Sequence, residues 1–190
     1  PKYSTTFFNA NNIQLELFES KTKDLDSVYI KGKSTFYIVH SQIIDSDLTG
    51  MELESFSIED SDTNGSGING SRINKVTIEK IRSHFALGGI MVKEINISSS
   101  ALIRTGLSKG EITELNITNC IDADDFGIFK AKIEKVSIVN CVVNNFKTMM
   151  AQVKTMKILN STVNGGNFDA VSIQELVLEN VTLSGKLNFT

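Results

Sequence analysis

The chain lacks tryptophan altogether, and among its 190 residues it has one proline and two cysteines. The only proline is Pro1, so no interior turn is proline-built, and two cysteines are too few for a disulfide-stapled scaffold. Positive charge is not in excess: 22 acidic residues against 19 basic ones, with a pI near 5.5, leave no bulk field to hold a phosphate backbone. That balance argues against nucleic acid as a partner. No apolar run approaches the roughly 18 to 20 residues of a membrane span, and no charged-then-apolar leader opens the sequence, so a soluble chain with no membrane span is expected. The length is that of one ordinary domain, and 41% apolar residues are enough for a core.

The apolar residues are periodic on two scales. A six-residue phrase begins at Leu53, Ile73, Val92, Ile112, Ile133, Val153 and Ile173, at steps of 20, 19, 20, 21, 20 and 20 residues. Within each unit apolar positions recur every five residues, as in Val153, Ile158, Val163, Phe168, Ile173, Leu178 and Leu183. A second set two residues earlier (Ala151, Met156, Ser161, Gly166, Val171, Leu176, Val181) is small or apolar. A five-residue period fits neither the 3.6 of a helix nor the 2 of an uninterrupted strand. A bend every five residues reconciles it with a core, giving four short sides per coil of about twenty residues and stacking at roughly 4.8 Å. Ile38, Ile58, Ile78, Ile97, Ile117, Ile138, Ile158 and Leu178 then form one buried ladder.

In this frame the chain resembles the pentapeptide-repeat proteins, with large aliphatic residues at the centre of each five and a smaller residue two places before. The resemblance implies a right-handed parallel β-helix. It covers most of the chain, with one deletion near Gly88 and one insertion near Phe129, and departs from the family where the small position is large (Phe36, Phe56, Leu115, Met156). Thr63, Ser83 and Asp122 fall at inward positions, which marks those sides for irregular turns. The alternative is a leucine-rich-repeat-like solenoid. Against it, asparagine falls at the second residue after the ladder isoleucine (Asn119, Asn140, Asn160, Asn180) rather than the third. Residues 1–35 keep the frame poorly, with Glu16, Lys21, Lys23, Lys31 and Lys33 at buried positions, and are expected to form a partial coil or cap. Residues 36–190 form the solenoid, which with the partial coil makes about nine coils.

Few residues offer chemistry. Cys120 and Cys141 stand one coil apart in an inward column with Ser100 and Ser161, where a free thiol serves as a small core residue and a disulfide is geometrically open. Asp60, Asp62 and Asn64 open like a calcium loop, but Ser71 stands where the bidentate glutamate belongs. His40 and His84 have no third partner. The acidic run Asp122, Asp124 and Asp125, with Arg104 one coil from Asp124, reads as a surface ion pair rather than a catalytic group. No cofactor and no metal are expected. Charges on the first side are mixed in sign, which describes a solvated face and opposes a role as a DNA mimic. Val139, Leu159 and Val177 point outward on successive coils and are the expected contact strip, with Tyr37 and Val39 further down. Leu183, Leu187 and Phe189 carry apolar character to the last residues without a polar cap.

These features predict a non-catalytic elongated scaffold or protein-binding module. Its partner would be a protein held on the apolar strip or the C-terminal coil, or a second copy end to end. By resemblance, such modules occur in bacterial secreted effectors, adhesins and interaction proteins, which favours a secreted or surface location. The alternative is a carbohydrate-active β-helix enzyme or carbohydrate-binding module using the acids around Asp124.

Overall fold

The computed structural model describes residues 14–18, 21–23, 34–82, 84–121 and 123–189. Among these there are twenty strands and no helix, wound as an all-β parallel solenoid of about seven full coils. The front sheet is nine strands deep: Gln14–Phe18, Thr35–Val39, Glu52–Glu59, Arg72–Glu79, Met91–Ser98, Glu111–Thr118, Lys132–Val139, Gln152–Leu159 and Ser172–Glu179. The back sheet stacks Asp47–Thr49, Ser66–Asn69, Phe85–Gly88, Gly106–Ser108, Gly127–Phe129, Val142–Met149, Thr162–Asp169 and Thr182–Phe189, with Ala123–Asp124 beside Val142–Met149. Lys21–Lys23 on Gln42–Ile44 makes a third, two-stranded sheet. Every pairing is parallel, and the residues of the isoleucine ladder lie directly over one another: Ile58 on Ile78, Ile97 on Ile117, Ile138 on Ile158. The nine-coil count is corrected to seven with partial coils beside them. The leucine-rich-repeat alternative gives way to a coil with sheets on opposite sides.

The four sides are joined by two kinds of corner. In a front strand such as Glu111–Thr118 the buried residues are Ile112, Leu115 and Ile117, so the alternation skips one place at Thr113 and Glu114. Pairing skips there too, between Ile112 and Glu114. The strand bends without leaving the extended region, and one corner of the square is absorbed into it. The other corners use a residue with positive φ, at Asn140 (55°), Asn145 (53°) and Met150 (51°) in one coil, for example. Among the described residues sixteen non-glycine residues do this, which is far above the ordinary frequency. Asparagine and aspartate tolerate that conformation best after glycine. Hence Asn119, Asn140, Asn160 and Asn180 recur just after the ladder isoleucine. They also bind each other: the Asn140 amide donates to Asn119 Oδ1 at 3.2 Å, and that of Asn180 to Asn160 Oδ1 at 3.0 Å.

The residue after such a corner closes a second ladder. Ser161 Oγ accepts the Cys141 N–H at 3.0 Å and donates to the Leu159 carbonyl at 2.7 Å. Ser61 does the same for Ser41 and Glu59, and Ser71 for Met51 and Asn69. A hydroxyl buried at each of these corners is therefore fully bonded, which removes the cost of burying it. Thr148 and Thr105 are the exceptions among the described residues, since their buried hydroxyls have no partner. Thr148→Val replaces an orphaned hydroxyl by a methyl of the same shape in the Leu107–Ile128–Phe168 column. It is expected to raise stability by about 1–2 kcal/mol, seen as a higher urea midpoint at unchanged m-value.

The frame slips lie at other places than the sequence suggests. Ser66 pairs Phe85, a step of 19, while Ser41, Ser61 and Ile81 keep steps of 20 in the corner ladder, so the missing residue falls between Ile81 and Phe85, ahead of Gly88. Ala123 pairs Val143 while Cys120 bonds Cys141, so the extra residue falls between Cys120 and Ala123, not near Phe129. Both slips sit in corners, where backbone hydrogen bonding to the neighbouring coil is sparse. Ala123 consequently takes the inward place assigned to Asp122; Asp122 and Ser83 lie outside the described residues, and Thr63 is buried as expected. At the start, Leu15 pairs Phe36 and Leu17 pairs Ile38, which sets Glu16 opposite outward Tyr37. Lys21 and Lys23 likewise pair with Gln42 and Ile44, the flanking positions of inward Ile43. Glu16, which is exposed, thus belongs to an outward column in a shifted frame. Lys31 and Lys33 lie outside the described residues.

Candidate functional site

The residues singled out for chemistry that are described have local structural roles; Asp122 lies outside the described residues. Asp60 Oδ2 meets His40 Nδ1 at 3.1 Å, and Asp62 accepts from Gln42 Nε2 at 3.2 Å and from the Asn64 N–H at 3.2 Å. The would-be calcium ligands are therefore tied to the coil below and to their own turn. Among the described residues no group of three or more His, Cys, Asp or Glu side chains could hold a metal ion. His84 contributes its carbonyl, to Thr63 Oγ1 at 3.5 Å.

The shift of the extra residue also rearranges the acidic cluster. Arg104 and Asp125 are the equivalent positive-φ corner residues of their coils, and Arg104 meets Asp124 through its N–H on the Asp124 carbonyl at 2.8 Å. The ion pair of this corner is Lys147 with Asp125, at 2.7 Å, while Asp124 Oδ1 accepts from the Asn145 amide at 3.3 Å. The expected Arg104–Asp124 side-chain pair is thus replaced by Lys147–Asp125.

An open groove of about 660 Å³ runs along the first side, across the coils from Arg72 to Ser172. Its charged lining alternates: Arg72, Lys93, Lys132 and Lys154 against Glu111 and Glu134, with no aromatic residue. Beside it run the coil-to-coil pairs Lys75–Glu94 at 3.4 Å and Lys135–Glu114 at 2.8 Å. The hydrogen bond to Glu114 holds the Lys135 ammonium above the ordinary lysine range, and the hydrogen bond from Asn96 holds Glu94 below the ordinary carboxylate range. Both shifts favour the charged forms that the pairs already use, and neither poises a group for proton transfer near neutral pH.

No protein-family model matches this chain, and no curated protein sequence matches it. Function must therefore be read from the surface itself. Among the described residues no helix is long and apolar enough to cross a membrane.

The three strip residues are half-buried, and the structure brings two of them together. Val139 pairs Leu159 on one outward column, but the next residue in that column is Glu179. Val177 lies one column over, on Lys157. The more exposed apolar surface is at the last coil, where Leu176, Leu178 and Leu183 are 49%, 46% and 49% exposed. These are inward positions, continuing the columns of Met156, Ile158 and Val163, all of which are buried. Val171, Ile173 and Val181, partly buried, pack below them against the core. Ser172–Glu179 and Thr182–Phe189 are the outermost strands of the front and back sheets among the described residues. The apolar run at Leu183 was visible in the sequence; the exposure of Leu176 and Leu178 was not, because their spacing is that of core residues.

Proposed function

We propose that this protein is a non-catalytic scaffold that displays side chains in fixed columns and holds a protein partner on one outer face. The supporting observation is the outward column in which half-buried Val139 pairs half-buried Leu159, with half-buried Val177 one column over. Apolar side chains on the outside of a regular sheet supply the burial that a partner needs. The five-residue columns and positive-φ corners support the pentapeptide-repeat-like character of the scaffold.

The test is partner capture by the wild type and by Leu159→Lys, read by mass spectrometry, with circular dichroism showing the fold unchanged. A charge in the middle of an apolar contact costs far more than one at its rim, so the variant is expected to lose the partner. Equal capture by both proteins would remove the proposal.

A further inference from the structure

The two cysteines are the only thiols of the chain and occupy consecutive places in a corner ladder that carries serine on either side of them, at Ser100 and Ser161. The Cys120 N–H donates to Cys141 Sγ at 3.4 Å, and the Cys120 carbonyl accepts from the Val142 N–H at 2.9 Å. The two residues are thus direct neighbours on adjacent coils, at an inter-strand spacing of about 4.8 Å. That lies inside the roughly 4.4–6.8 Å between α-carbons that a disulfide spans. Sulfur brings the ladder nothing that oxygen lacks: Ser161 accepts the equivalent N–H at 3.0 Å. What two stacked thiols add is the capacity to bond to each other. They also bracket the coil that carries the extra residue, from Cys120 to the residue that begins the next coil.

We propose that Cys120 and Cys141 are a peroxide-responsive pair whose oxidation closes the coil between them into a covalent ring. Both residues are buried, at 0% and 2% exposure, which restricts the oxidant to a small one such as hydrogen peroxide. The Cys141 thiolate attacks one peroxide oxygen; an S–O bond forms, the O–O bond breaks, and hydroxide leaves to become water by taking up a proton. The Cys120 sulfur then attacks the Cys141 sulfenic acid; the S–S bond forms, the S–O bond breaks, and the departing hydroxide takes the Cys120 proton as water. Two thiols are oxidised and one peroxide is reduced to two waters. The order of the steps follows from the Cys120 N–H, which donates to Cys141 Sγ at 3.4 Å and so favours the thiolate at Cys141.

The experiment treats the folded protein with hydrogen peroxide, alkylates residual thiols after denaturation, and reads the intact mass. The wild type is expected to lose two hydrogens and take up no alkylating agent. Dithiothreitol is expected to restore both thiols, the reaction rate to rise with pH, and the thermal midpoint to climb by several degrees on oxidation. Cys120→Ser is expected to gain a single oxygen at Cys141, and Cys141→Ser to be inert at the same dose. Serine already fills this column at Ser100 and Ser161, so both variants keep the ladder. Should either fail to fold, a crosslinked Cys120–Cys141 peptide from the wild type decides alone. Two alkylatable thiols after treatment, a crosslink between molecules, or equal reactivity of the two serine variants would overturn the proposal.

Discussion

Phe146→Ala is expected to destabilise the protein by about 3–5 kcal/mol, the range for removing a fully buried aromatic side chain. Phe146 is 0% exposed. Its ring stacks on Phe126 with centroids 5.8 Å apart and meets Phe168 edge-on at 5.7 Å. The three rings bridge successive coils of the back sheet, so alanine removes ring contacts toward the coils on both sides and leaves a void that a rigid coil stack cannot collapse. Urea denaturation followed by circular dichroism would show the loss as a lower midpoint at unchanged slope. Phe146→Leu should recover most of it, since a volume-conserving apolar swap costs less than about 1.5 kcal/mol. A loss under 1 kcal/mol for alanine would contradict the packing of these rings. The estimate is large against the roughly 5–15 kcal/mol that holds an ordinary domain together.

Deleting residues 105–125 is expected to leave a folded solenoid one coil shorter, whereas deleting 105–115 should destroy cooperative unfolding. The first cut joins Arg104 to Phe126. Arg104 and Asp125 have the same positive-φ conformation, at 50° and 57°, so the junction inherits a formed corner. Across the new contact Phe85 would meet Phe126, Leu87 would meet Ile128 and Ile97 would meet Ile138, each pair drawn from a column that already exists. The unpartnered Thr105 hydroxyl and the extra residue both leave with the excised segment. The shorter cut instead feeds front-sheet residues 116–118 into the back sheet and sets Asn116 where an inward phenylalanine belongs. In a stack where each coil touches only its neighbours, whole units can be removed and fractions cannot. The denaturant slope of the longer deletion should fall by roughly one-seventh, in line with one coil of about seven.

The front sheet was legible in the sequence because its columns are filled by Ile, Val or Leu in nearly every coil, and a single register satisfies all of them. The slips were not, because the count of five can absorb a missing or extra residue anywhere between two apolar markers. Between Ile81 and Leu87, and again between Cys120 and Ile128, the intervening residues carry no inward signature strong enough to place it. Ile121 even suggests an inward residue, yet it is 64% exposed in the corner that takes up the extra residue. The outward apolar column was half legible for the same reason: Val139 and Leu159 keep the column, while Val177 belongs to the neighbouring one, a distinction that only the strand register makes. The left-handed corners were hidden as well, since Lys80, Lys109, Lys130 and Met150 adopt a conformation that their side chains do not advertise. Stacking of the coils, and not local preference, holds them there.

The parallel ladder also governs how the molecule bears load. With every backbone bond between coils directed along the axis, tension between the termini is resisted by one fastening at a time. Extension would therefore consume the protein from whichever end is held more loosely, like thread drawn from a spool, while the turns not yet reached stay wound.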